Sequence, residues 1–156
     1  MKSVRVLLAV GLVGLLLCGC PDLVVTSLTP GDPTVNAAGS VELPVTVVVR
    51  NQGDADAGPF KVSLHYNDGS GTFVVAFTVP AENNIWYPST DADLPAGAEV
   101  NFGGVATFHP FVRGVTVSMT AVADSCSGDE FMPSYCRVQE SNEGNNTSAP
   151  QDVALP

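Results

Sequence analysis

The densest group of oxygen donors in the chain is Glu140-Ser141-Asn142-Glu143-Gly144-Asn145-Asn146, which places two carboxylates and three side-chain amides in seven consecutive residues. If the preceding segment folds back, Asp124 faces the same loop. Asp124, Glu140 and Glu143 would then form the kind of set that holds calcium, a hard cation satisfied by oxygen ligands alone. The same composition also serves a tight turn, because Asn and Gly tolerate left-handed backbone and Asn side chains bond the local main chain. Both readings stand at the level of sequence. Asp54 and Asp56 open like an EF-hand loop, but Gly58 occupies the third acidic position and no Glu closes the loop, so that match is coincidental. His65 and His109 are the only two histidines. His65 falls on the solvent side of an alternating segment and Pro110 follows His109, which is too thin a supply for a shared transition-metal site.

A second chemical feature is the four cysteines. Met1 to Cys20 begins with Lys2 and Arg5, continues through an apolar run from Val6 to Leu17 and ends in small residues, the layout of an export signal. The run is shorter than the roughly 20 residues that span a bilayer as a helix. Leu17-Cys18-Gly19-Cys20 looks like a bacterial lipobox, in which the sulfur of the last cysteine carries a diacylglyceryl group and becomes the new N-terminus. The expectation is a cleaved leader over residues 1–19, lipidation of Cys20, and a single domain over 20–156 behind a short tether. The alternative is an ordinary cleaved secretion signal. With Cys18 removed and Cys20 acylated, Cys126 and Cys136 remain as an even pair for a disulfide in an oxidising compartment. Its loop of about eleven residues would stabilise the fold by roughly 2 to 3 kcal/mol.

Trp86 and Tyr87, near Asn83 and Asn84, form either an exposed aromatic platform for a sugar or protein partner or a plug over one end of the core. A Trp close to strand ends usually buries most of its area, which favours the plug. No G-x-S-x-G elbow, H-E-x-x-H pair or phosphate-binding glycine loop is present. No enzyme is therefore expected, and no cofactor beyond calcium.

Charge narrows the partners. The net charge is -10, and loss of Lys2 and Arg5 with the leader leaves four basic residues against sixteen acidic ones, a balance of -12. Nucleic acid is excluded on that balance. The acids are scattered, as on a solvated surface.

The elements that must position these residues are strands. Val41 to Arg50 alternates, with Val41, Leu43, Val45, Val47 and Val49 on one face. Asp22 to Leu28, Phe60 to Tyr66, Thr72 to Val79, Ala98 to Phe102 and Val115 to Ala123 follow the same rule, separated by Gly, Pro, Asn and Asp clusters. Pro44 lacks an amide hydrogen, so its strand is expected to lie at a sheet edge or to bulge there. About seven short strands with one apolar face each predict an all-β, antiparallel sandwich of the immunoglobulin-like kind.

Three segments carry a resemblance to a known family: Pro21-Asp22-Leu23-Val24-Val25; Val47-Val48-Val49-Arg50-Asn51-Gln52-Gly53 with Ala57-Gly58-Pro59-Phe60; and Glu140 to Asn146. Together they resemble the CARDB domain, a cell-adhesion-related module of bacteria. The resemblance implies an immunoglobulin-like sandwich that is extracellular and non-enzymatic. The segment around Trp86 and the Cys126 to Cys136 loop depart from its compact pattern. The expected role is a lipid-anchored adhesion or binding module that offers its loops to an envelope or extracellular protein or glycan. An architectural subunit pairing through a sheet edge is the alternative, and an atypical enzyme a remote third.

Overall fold

The structure is a computed structural model that describes residues 19–80, 86–126 and 136–156. The leader up to Cys18, and Asn83 and Asn84 beside the aromatic pair, lie outside the described residues. The strands are β1 (Leu23–Pro30), β2 (Thr34–Val35), β3 (Val41–Asn51), β4 (Val62–Asn67), β5 (Thr72–Thr78), β6 (Glu99–Phe108), β7 (Thr116–Ala123) and β8 (Gln151–Ala154). A single 3-10 turn, Pro110–Val112, is the only helical element among the described residues. The six strands placed in the sequence are present, joined by two that were not placed there, the two-residue β2 and β8.

All pairings are antiparallel, in the order β1-β3-β6-β5-β4-β7-β8, with β2 beside β3. The path folds into two facing layers because β5 changes partner midway. Thr72 to Val75 pair with β4, whereas Ala76 to Thr78 pair with β6. A strand that switches sheets makes the corner of a sandwich. Gly104 permits this corner, because a Cβ there would sit 2.3 Å from the carbonyl oxygen of Thr78.

The core follows the alternation in the sequence. Val41, Leu43, Val45, Val47 and Val49 of β3 are all buried, and they share one core with Val117, Met119, Ala121 and Ala123 of β7 and with Phe60, Leu64, Phe77 and Phe108. At roughly 1.5–3 kcal/mol per large apolar side chain, this face drives folding.

Pro44 departs from expectation. β3 is central, and its register with β6 runs unbroken from Val41↔Phe108 to Arg50↔Glu99. The missing amide hydrogen does no harm because the other side of Pro44 falls in the gap between β2, which pairs as far as Glu42, and β1, which pairs from Val45. There the carbonyl of Pro44 accepts from the amide of Gly31 at 2.8 Å. The bulge lies instead in β1, between Val25 and Ser27.

These registers define two poles. Leu23 opposes Asn51 at one end of β3, and Val41 opposes Phe108 at the other. Cys20 therefore lies at the end where β3 finishes, and the turn following β6 lies at the far end. Residues 20–22, read from the sequence as a tether, are bonded into the Cys20 pole. The carbonyl of Cys20 accepts from Asp54 (3.1 Å), that of Pro21 from Ser141 (2.9 Å) and that of Asp22 from Gln52 (2.7 Å). Asn51, fully buried, organises the turn beneath them. Its Oδ1 accepts from the amides of Asp22 and Gly53, both at 3.1 Å, and its Nδ2 donates to the carbonyls of Ala55 (2.8 Å) and Leu94 (3.0 Å).

Gly53 is what lets the two segments approach. A Cβ added there would lie 2.3 Å from the Cys20 oxygen and 2.6 Å from the Asp22 nitrogen, both main-chain atoms that cannot swing aside. Gly53→Ala is therefore expected to lower stability by about 1–3 kcal/mol through overpacking. Chemical denaturation of both proteins checks this, and an unchanged midpoint would refute the close approach.

Candidate functional site

The Cys20 pole collects the acidic residues singled out in the sequence. At the end of β7 the chain turns sharply, and Asp124 takes a positive φ of 45° that aims its carboxylate back into the fold. That carboxylate accepts from the amides of Arg137 (3.0 Å) and Val138 (3.0 Å), residues held close by the Cys126–Cys136 disulfide. Glu140 is buried, and its Oε2 accepts from the amide of Leu23 at the start of β1. Its Oε1 accepts from Nδ2 of Asn146 at 2.6 Å. Glu143, exposed, closes the turn by accepting from the Glu140 amide at 2.9 Å.

Ligand atoms of Asp124, Glu140 and Glu143 lie within 4.8 Å of one another. The fold thus brings together the three carboxylates singled out in the sequence, within a turn closed by their own hydrogen bonds. The electrostatics reflect the crowding. Burial, reinforced by the neighbouring Asp124 and Glu143 charges, overcomes the hydrogen bonds and pushes Glu140 up to about 7. Burial likewise raises Asp124, against the pull of its backbone donors. Asp124, Glu143 and Asn146 line a cavity of about 300 Å³ together with His65, Ser125 and the disulfide. A set made of carboxylates and amide carbonyls fits a hard cation, since both sulfurs are oxidised and His65 is bonded to Ser63 Oγ at 2.8 Å.

A different chemistry marks the far pole. Trp86 is 45% exposed and stands outside the core cluster. It lines an open cleft of about 260 Å³ with Ser40, Tyr66, Thr107, Phe108 and His109. Tyr66 packs edge-on against Phe108, with ring centroids 5.3 Å apart. Phe111, 78% exposed, stacks on His109 at 3.7 Å. Tyr87 lies under the Lys61 ammonium, which sits 5.8 Å from its ring centroid. His65 lines the cavity at the Cys20 pole and His109 the cleft at the far pole. Asp54 donates its backbone amide to the carbonyl of Cys20, and Asp56 caps the amide of Ala96 at 3.0 Å.

Sequence reasoning did not single out Asn51, Tyr66, Phe111 or the amide role of Asn146. For Asn51 the only signal was its place before Gln52-Gly53. For Tyr66 and Phe111 there was none, because cleft lining depends on strands distant in sequence.

The CARDB family model matches residues 20–150. The chain belongs to the CARDB family. Among solved structures it is similar to the CARDB domain of a Pyrococcus furiosus protein, crystallised in complex with di-metal ions. The identity is 21%, the match covers 87% of this chain and 94% of that one, and the TM-score is 0.50. At that identity the likeness shows the fold. No curated protein matches the chain.

The raised Glu140 carboxyl has a consequence for stability. A carboxyl that holds its proton more tightly when folded favours the folded state fully below its ordinary value of 4.5, and this contribution is lost as pH rises through about 7. With chelator present, the thermal midpoint is expected to fall over that window, and Glu140→Gln is expected to flatten the slope. Thermal unfolding across the pH series measures it, and parallel slopes for the two proteins would contradict the assignment.

Proposed function

We propose that this CARDB chain is an exported, lipid-anchored and non-catalytic binding module of the cell envelope, which takes a neutral glycan in the aromatic cleft of its far pole. The observation that carries this reading is the position of Trp86, exposed on a cleft at the pole opposite Cys20. Flat rings flanked by the hydroxyls of Ser40 and Thr107 suit the alternating apolar and hydroxyl faces of a sugar. No Lys, Arg, Asp or Glu lines that cleft among the described residues, which favours a neutral ligand over a charged one.

The anchor reading is supported by the lipobox and by the exposure of Cys20. Among the described residues no helix is long and apolar enough to cross a membrane. With residues 20–22 bonded to the domain, a lipid on Cys20 would hold the acidic pole toward the membrane and present the aromatic pole outward. The absence of a catalytic role is supported by the one contact among the described residues that resembles a nucleophile and base: Ser63, beside His65, is fully buried and hydrogen bonded to Ser125 at 2.8 Å. Pairing through a sheet edge is less well supported, because the β1 edge is interrupted by its bulge and closed by Pro30.

Intact mass of the detergent-extracted protein tests the anchor. The expected product lacks residues 1–19 and carries acyl chains, and Cys20→Ala abolishes the addition. An unacylated wild-type product would sink the anchor and leave a secreted domain. Binding to neutral envelope polysaccharides by calorimetry tests the cleft, where Trp86→Ala should weaken binding about tenfold. Equal binding by the variant, or selective capture of a protein in place of polysaccharide, would overturn the glycan reading.

A further inference from the structure

We infer that the Cys20 pole is a calcium site formed by Asp124, Glu140, Glu143 and the side-chain carbonyl of Asn146, and that the ion fastens the first strand to the C-terminal turn. Three carboxylates whose ligand atoms fall within 4.8 Å are not enough by themselves, since such clusters also occur as solvated surface. The deciding observation is Asn146. It is only 8% exposed, and its Oδ1 is buried without a hydrogen-bond partner.

A buried side-chain carbonyl without a donor is rare in a folded protein and calls for an explanation. Turning the amide over does not remove it. Nδ2 of Asn146 donates to Glu140 Oε1 at 2.6 Å, and a flipped amide would set two acceptors against each other. The carboxylate thus fixes the amide, and Asn146 lines the same cavity as Asp124 and Glu143. Asn145 repeats the pattern beside it: Nδ2 donates to Asp22 Oδ1 at 2.8 Å, and its own buried Oδ1 has no partner. Two amides held in place by carboxylates, each with an unsatisfied carbonyl, supply acceptors where only a cation or a donor can complete them.

The donor set selects the ion. It consists of carboxylates and an amide carbonyl, with no thiolate, because Cys126 and Cys136 are joined. Such oxygen sets suit calcium, which accepts irregular geometry, better than magnesium, which demands a near-ideal octahedron and retains its waters. The site gathers three distant segments: the corner after β7 through Asp124, the C-terminal turn through Glu143 and Asn146, and β1 through the Leu23 amide on Glu140. An ion here would neutralise the crowded carboxylates and hold the lipid-bearing end of the chain in place.

The test is calcium titration of the mature, disulfide-bonded protein after chelator treatment, read by calorimetry and by thermal unfolding. Saturable binding of about one equivalent is expected, with a higher unfolding midpoint and weaker binding of magnesium. Glu143→Gln keeps an oxygen to accept from the Glu140 amide, so it should fold normally and lose about tenfold or more in calcium affinity. As a second measurement on the wild-type protein, amide resonances of Asp124, Glu140, Glu143 and Asn146 should move together during the titration. No heat and no midpoint shift at millimolar calcium would overturn the proposal. So would magnesium binding as tight as calcium, or shifts confined to residues elsewhere.

Discussion

A carboxylate taken out of water must be surrounded by donors, and the structure depends on how Glu140 meets that need. One of its oxygens receives the first amide of β1 and the other receives Asn146. The edge strand that follows Cys20 is thereby tied to a turn more than a hundred residues later, in addition to its ladder with β3. Removing Glu140 would cost more than one hydrogen bond, because the Leu23 amide and the Asn146 amide would both lose their acceptor.

Asn51 plays the neutral counterpart on the opposite side of the same segment. All four of its hydrogen-bonding positions are filled, and it needs no charge to be stable in the interior. Gly53 then allows residues 20–22 to lie directly on the turn that Asn51 supports. The N-terminal segment is therefore gripped by a buried amide and a buried carboxylate, and the Cys20 pole is the more polar end of the fold. The far pole has the opposite character, with aromatic rings left open to solvent.

Much of this was legible in the chain. The valines of Val41 to Val49 and the apolar positions of Val115 to Ala123 announced their faces because strand periodicity is local. The union of Asp124 with Glu140 and Glu143 was also legible, since a cysteine pair between them marks a loop that folds back. What could not be read depends on neighbours across strands. The tolerance of β3 for Pro44 arises from a gap between two other strands. The exposure of Trp86 follows from which ends of β3 and β6 meet, and the sheet change in β5 from a glycine on β6. The unsatisfied carbonyl of Asn146 lies at the limit of sequence reasoning, because an asparagine in a turn and one held by a carboxylate are the same letter.

The antiparallel run of β1 against β3 has a mechanical meaning. β1 leaves the Cys20 pole and travels toward the far pole, and β8 leaves the domain in that same direction. A pull that separates Cys20 from the C-terminal strand therefore acts along the strands. It loads the rungs between β1 and β3 sideways and together, instead of opening them singly from one end. A domain held by Cys20 while its opposite face is tugged would resist as a ladder in shear, the stronger of the two ways a sheet can bear force.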